Sequence, residues 1–266
     1  MRRTVALLVV IVAAAAVASA QRFGGPRLPV ATPESFDGAF HYCRAVFRGA
    51  QGGVGGGWST DYPDADRNLS VRLSELTKTP VSMDARGEPN HLIVTLTAPE
   101  LYQCPFIMMF EVGNLYFDEV EAAALRSYLL KGGFLWVDDF WGERAWDNWE
   151  SQIRKVFPSA SYPIIDVPLD HALFRQFRTV TRVPQIPSIN YWMGSGGDTS
   201  ERGADSRPVH LRAILDDHDR IMVLMSHNTD FGDSYEREGV NHEYFLTFSV
   251  EGYAFGINTL IYAMTH

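Results

Sequence analysis

Apolar residues fall into short unbroken runs and helically spaced sets along this chain, and their alternation with capping and turn residues predicts a layered α/β fold. Phe40-His41-Tyr42-Cys43-Arg44-Ala45-Val46-Phe47 has strand composition, and the glycines at 49, 52, 53, 55, 56 and 57 predict that it opens into a loop. Residues 65–77 carry Leu69, Leu73 and Leu76 at helical spacing, with Asp64 or Asp66 available as a cap. Leu92-Ile93-Val94-Thr95-Leu96 and Phe106-Ile107-Met108-Met109-Phe110 read as strands covered on both faces. The next helix is predicted to begin at Asp118 with Glu121 three residues on, to carry Leu125 and Leu129, and to stop at Gly132-Gly133. Phe134-Leu135-Trp136-Val137 follows at once as a further buried strand, which completes the signature of a βαβ unit in a parallel sheet.

Downstream, Asp147 with Glu150 predicts a helix start, with Trp149, Ile153 and Val156 inward and an end before Pro158. Residues 162–167 predict an edge strand, because Pro163 cannot donate a ladder hydrogen bond. The segment 194–208 is rich in Gly, Ser, Asp and Arg and is expected to be a mobile surface loop. Residues 209–215 and 221–226 flank Asp216-Asp217-His218-Asp219 as a β-hairpin. Val250, Tyr253, Ala254, Ile257, Leu260 and Ile261 form the apolar stripe of a docked C-terminal helix. The expected architecture is a three-layer α/β sandwich with a mostly parallel sheet, after an irregular lead at 21–38 and spanning 39–266 as one domain.

The first twenty residues change the picture of where this domain works. Arg2 and Arg3, an uncharged apolar run from Val5 to Val17, and Ala18-Ser19-Ala20 form the pattern of a signal peptide cut before Gln21. The run is shorter than the roughly 20 apolar residues of a membrane span. The expectation is an exported chain, periplasmic or extracellular, with no membrane span after cleavage. Loss of Arg2 and Arg3 leaves 32 acidic against 21 basic side chains, a net charge of −11. No Lys or Arg cluster offsets it, which disfavours nucleic acid and anionic membrane as partners. Cys43 and Cys104 are the two cysteines. An oxidising exterior permits them to pair, while strand-type cysteines are more often separate core residues.

In open parallel sheets the ligand crevice lies beyond the carboxyl ends of the strands, so residues that follow strands are the candidates. Asp138 and Asp139 end one strand, with Trp136 and Trp141 beside them. Adjacent carboxylates there call for a cation or an ordered polar ligand, or else one caps the following loop and the other pairs with Arg144. Asp170-His171 follows the edge strand and reads either as a base with its orienter or as turn chemistry. Asn228, Asp230 and Asp233 follow the hairpin as an oxygen-ligand series without the length, glycine placement or closing Glu of an EF-hand loop. The glycine run lacks both the P-loop ending and the dinucleotide fingerprint. Trp58-Ser59-Thr60-Asp61-Tyr62-Pro63 offers aromatic and polar groups suited to a sugar or peptide, or anchors the loop.

The motifs Gly56-Gly57-Trp58-Ser59-Thr60-Asp61-Tyr62-Pro63, Gly132 to Gly142, Leu169-Asp170-His171, Pro184-Gln185-Ile186-Pro187 with Asn190-Tyr191-Trp192, and Asp230 to Asp233 resemble the bacterial family known as domain of unknown function 4159. The resemblance runs from about Phe40 to the C-terminus and implies no activity. That family is similar in fold to the class I glutamine amidotransferase-like superfamily, in which a Gly-Gly strand leads into a sharp turn bearing a nucleophilic cysteine. By that resemblance Asp139 or its neighbour stands where the cysteine would be, which puts glutaminase activity in doubt.

Two functional readings follow. In the first the chain is a non-catalytic envelope module that binds a glycan, peptide or protein through Trp58, Asp61, Tyr62, Trp141, Asn190, Tyr191 and Trp192. In the second it is a metal-assisted hydrolase with Asp138, Asp139, Asp170 and His171 as acid, base or ligand groups. Asp138, Asp139, Asp230 and Asp233 would then hold a divalent cation.

Overall fold

The computed structural model describes residues 28–266; the expected signal peptide at 1–20 and the start of the irregular lead lie outside the described residues. In chain order the strands are β1 (Tyr42–Val46), β2 (Arg48–Gly49), β3 (His91–Thr95), β4 (Phe106–Phe110), β5 (Leu115–Tyr116), β6 (Phe134–Phe140), β7 (Ile165–Asp166), β8 (His210–Leu215) and β9 (Ile221–His227). Seven of them form one sheet in the order β3-β1-β4-β6-β9-β8-β7, and β2 with β5 makes a small separate ribbon. Strands β3, β1, β4, β6 and β9 run parallel; at one edge β8 pairs antiparallel with β9, and β7 pairs antiparallel with β8. Numbered by chain order, the parallel strands lie 2-1-3-4-5, the flavodoxin-like arrangement. The chain steps from β1 to one side and returns to β4 on the other. The crevice that this reversal opens lies at the carboxyl ends of β1 and β4.

The helices are α1 (Asp64–Leu76), α2 (Glu119–Leu130), α3 (Gly142–Val156), α4 (Ile189–Gly194), α5 (Phe231–Glu236), α6 (His242–Tyr244) and α7 (Val250–Thr265). Period-two alternation sends Phe106, Met108, Phe110 and Trp136 to the face covered by α1 and α7, where they meet Leu69, Leu73, Ile257 and Leu260. Ile107, Met109, Leu135 and Val137 point the other way, onto Leu125, Leu129, Trp149 and Ile153 of α2 and α3. Two cores on one sheet give the three layers that the unbroken apolar strands predict. Among the described residues no helix is long and apolar enough to cross a membrane.

The Asp118 capping box holds: its carboxylate accepts the Glu121 N–H at 2.8 Å, and the Glu121 carboxylate accepts the Asp118 N–H at 3.0 Å. Two other cap expectations are corrected. Helix α1 begins without a side-chain cap, and Asp66 faces inward onto Arg44. Helix α3 begins at Gly142, five residues before the expected Asp147, because left-handed Asp139 (φ 55°) and Gly142 (φ 81°) turn the chain sharply off β6. An alanine at Gly142 would also set its Cβ 2.2 Å from an Asp205 carboxylate oxygen. The expectation of separate cysteines gives way to a Cys43–Cys104 disulfide with a Cα–Cα distance of 6.1 Å. Neighbouring strands β1 and β4 bring the two together. The segment 194–208, expected as a mobile loop, is tied down: Ser200 and Ser206 are buried with their hydroxyls 2.9 Å apart, and Gln185 Nε2 donates to the Ser206 carbonyl at 2.7 Å.

Candidate functional site

At the carboxyl ends of three neighbouring strands stands a non-glycine residue with left-handed backbone: Glu111 (φ 53°) just after β4, Asp139 (φ 55°) next to last in β6, and Asn228 (φ 64°) just after β9. Asp61, in the loop that follows β1 and β2, is a fourth (φ 60°). Such residues concentrate where the surrounding structure fixes a side chain for use. Here the fold ties the ends together: Glu111 N–H donates to the Asp138 carbonyl at 3.1 Å, and Asn228 N–H donates to the Phe140 carbonyl at 3.0 Å. Asn228 Oδ1 then accepts the Gly142 N–H at 2.8 Å, so the turn after β6 is held from β9.

Asp138 and Asp139 divide their roles. Asp138 is fully buried; one oxygen accepts the Ser226 hydroxyl, and the other accepts the N–H groups of Phe231 and Gly232 at 2.7 and 3.1 Å. Both oxygens are satisfied, so Asp138 docks the start of α5 onto β6. Asp139 accepts the Trp141 indole N–H at 2.9 Å through Oδ1, and its Oδ2 has no donor among the described residues. Asp230 repeats this pattern: Oδ1 accepts the Asp233 N–H at 2.8 Å and Oδ2 has no donor among the described residues. Asp233 follows, with Oδ2 on the Ile189 N–H at 2.6 Å. One oriented oxygen and one available oxygen is how a carboxylate is presented to a cation.

Oxygens of Asp61, Asp139 and Asp230 lie within 4.8 Å of one another, and those of Asp61, Asp233 and Glu236 do the same. At that spacing two charged carboxylates repel by about 3 kcal/mol at an effective dielectric near 20. Three such pairs approach the whole stability of an ordinary domain, so the ionised cluster needs protons or a cation. Burial, then mutual repulsion, pushes Asp61, Asp139 and Asp230 well above the usual carboxylate range. Burial lifts Asp138 and Glu111 to about 7 and Asp233 to about 6. The Asp61 carboxyl is enclosed, and its Oδ2 is sealed from solvent with no hydrogen-bond partner among the described residues.

Arg44, fully buried in β1, positions Asp61. Its guanidinium grips Asp66 through Nε and Nη2, donates from Nη1 to the carbonyls of Trp58 and Thr60 at 3.0 and 2.6 Å, and stacks 4.3 Å over the Phe110 ring. The loop is thereby pinned immediately before Asp61.

A family model described as Domain of unknown function (DUF4159) matches residues 46–264. The chain belongs to the DUF4159 family. No curated protein matches it.

Within this DUF4159 chain the structure gathers only part of the expected residue set. Asp139, Asp230, Asp233 and Asp61 converge. Asp138 leaves the metal set because both its oxygens are taken. Asp170 and His171 are elsewhere: the His171 ring lies 5.5 Å from Tyr262, whose hydroxyl accepts the N–H of Ile221, at the start of β9. Asp230 follows the other end of β9, a strand length of roughly 20 Å away. His171 Nδ1 accepts the Leu173 N–H at 3.2 Å, which is the turn role. Arg144 does not pair with either aspartate; it donates to the Gly52 carbonyl at 2.6 Å.

The aromatic residues of the expected contact face are largely engaged in packing. Trp141 is buried, Trp192 packs edge-on against Tyr244 and Phe248, and Trp58 packs against the second core and Tyr62. Tyr62 hydrogen-bonds His91 at 2.9 Å, Tyr191 donates to the Ser200 carbonyl at 2.8 Å, and Asn190 is exposed. Sequence reasoning missed Glu111 and Glu236. A signal for Glu111 was present, since it directly follows an apolar strand; Glu236 sits on a short helix with no pattern to mark it.

Proposed function

We propose that this chain is an exported, divalent-cation-dependent hydrolase whose metal is held by Asp61, Asp139 and Asp230. The observation that carries the reading is the convergence of these three carboxylates from three separate segments, none with an ion-pair partner among the described residues, at the carboxyl edge of a parallel sheet. An all-oxygen, anionic donor set selects a hard ion such as Mg²⁺, Mn²⁺ or Ca²⁺ over the softer metals that thiolate and imidazole favour. Bound there, the ion supplies Lewis acidity and a more acidic water. Glu111, partly open to solvent and held at about 7, has the proton affinity suited to a general acid or base beside it. Export is supported by the N-terminal signal pattern and by the Cys43–Cys104 pairing, which an oxidising compartment favours. Thiol chemistry has no place in this reading, because both cysteines are in the disulfide and the left-handed position near the end of β6 is held by Asp139. The aromatic binding-module reading is less favoured because Trp141 and Trp192 are committed to internal contacts.

The test is calorimetric titration and thermal denaturation of chelator-stripped protein with Mg²⁺, Mn²⁺ and Ca²⁺. A cation at 100 times its Kd adds about 2.7 kcal/mol, which raises Tm by about 5–10 °C for a domain of this size. Asp139→Asn and Asp230→Asn abolish that rise, and Glu111→Gln leaves the rise intact while removing cation-dependent turnover on an ester and amide substrate panel. Absence of binding at 10 mM of all three cations, about a weak-site Kd, refutes the reading.

A further inference from the structure

The second triad, Asp61 with Asp233 and Glu236, shares Asp61 with the first, and its oxygens are equally close, within 4.8 Å of one another. Acidic clusters are common on protein surfaces, so the proximity alone decides nothing. What adds to it is the enclosed Asp61 carboxyl: its Oδ2 is sealed from solvent, has no donor among the described residues, and lies against Gly232, where an added Cβ would come within 2.2 Å of it. A sealed, ionised carboxylate oxygen with no donor costs on the order of the desolvation of a charge unless it takes up a proton or faces a cation.

Charge then sets the number of positive groups required. Asp61, Asp139, Asp230, Asp233 and Glu236 contribute five negative charges when ionised, and among the described residues the one cation in salt-bridge contact with any of them is Arg237, on Glu236. Arg44 does not serve, since its guanidinium is committed to Asp66 and to the carbonyls of Trp58 and Thr60. A net charge of about −4 remains, and one divalent ion neutralises half of it. Asp233, like Asp139 and Asp230, has one oxygen oriented by a backbone or side-chain donor and one without a donor among the described residues.

We infer that the site is dinuclear: Asp61 bridges two divalent cations, one completed by Asp139 and Asp230 and the other by Asp233 and Glu236. This rests on the cation reading above and extends it from one ion to two. Ions bridged by one carboxylate sit about 3.5–4 Å apart, the separation at which two metals clamp the attacking and leaving oxygens of a displacement at a phosphoryl or acyl centre. The substrate class is therefore a hydrolysable ester, phosphoester or amide that presents an oxygen to both ions.

Mn²⁺ is the probe. Equilibrium dialysis of the chelator-stripped full chain should saturate at two Mn²⁺ per chain, and the electron paramagnetic resonance spectrum should show exchange-coupled lines. Glu236→Gln should lower the stoichiometry from two to one and convert the coupled spectrum to the six lines of isolated Mn²⁺, with Asp233→Asn doing the same. Asp61→Asn should abolish the coupling. Folding of each variant is checked by its thermal transition in chelator. One equivalent in the parent with an uncoupled spectrum overturns the dinuclear site and leaves the single-ion function standing. Zero equivalents in the parent overturns both, and neither outcome depends on how a variant folds.

Discussion

Asp138 and Asp139 are consecutive, yet among the described residues the Asp138 carboxylate accepts three donors through both oxygens while that of Asp139, turned by a φ of 55°, accepts only the Trp141 indole N–H. The alternation of side chains along β6 accounts for the split. Asp138 is still in register with the strand, opposite Phe110 of β4, and points into the layer where α5 begins. At Asp139 the ladder between β6 and β9 is interrupted, and its carboxylate is released toward the crevice. One residue is therefore a structural anchor, and the other keeps an oxygen without a donor among the described residues.

This difference predicts opposite outcomes for the same substitution. Asp138→Asn places an amide N–H₂ against donors in a buried site and should destabilise the chelated protein by about 2–3 kcal/mol. Asp139→Asn removes a repelling charge and should leave the chelated protein as stable as the parent or more so, while losing the cation-induced rise. Urea denaturation in chelator and in saturating Mn²⁺ measures both. Equal losses for the two variants in chelator would contradict the division of roles.

The same carboxylates make stability depend on pH in a definite sense. Glu111 and Asp138 are held at about 7 and Asp233 at about 6, each above its ordinary value. The folded protein thus binds more protons than the unfolded chain between roughly pH 4 and 7, and stability declines as pH rises through that window. In chelator Tm should fall from pH 5 to pH 8. With saturating cation, which requires ionised carboxylates, the decline should flatten or reverse. A rising Tm in chelator over this range is the contrary result.

Arg44 and Asp66 are both fully buried, so removal of either partner alone leaves an uncompensated charge. Arg44→Met should cost about 3–5 kcal/mol, and the Arg44→Met/Asp66→Leu double variant should recover most of it. Because the guanidinium also holds the carbonyls of Trp58 and Thr60, the double variant should still bind the cation more weakly than the parent. Calorimetry on the double variant separates that positioning role from stability. Unchanged affinity would show that Asp61 is placed by other contacts.

The disulfide closes a separation of 61 residues between β1 and the start of β4, two strands that frame the crevice. Chain-entropy arguments assign about 4 kcal/mol to a loop of that length. The Cys43→Ala/Cys104→Ala variant should lose about 2–4 kcal/mol in urea denaturation, and the denatured parent should show no free thiol by reagent titration.

Local pattern alone determined much of this molecule. Unbroken apolar runs predicted the parallel strands, the Asp118–Glu121 box and Gly132-Gly133 bounded α2, and the position after Val137 marked a crevice edge, because periodicity and capping act over a few residues. Tertiary structure decided the rest. The 2-1-3-4-5 strand order carried Asp61 and Asp230 to Asp139 and left Asp170 and His171 at the opposite end of the sheet. It also joined two cysteines whose types and spacing left the question open. Which of two adjacent aspartates is saturated depends on donors from α5 and β9, far along the chain, and no pattern within β6 records which of its carboxylates those donors will reach.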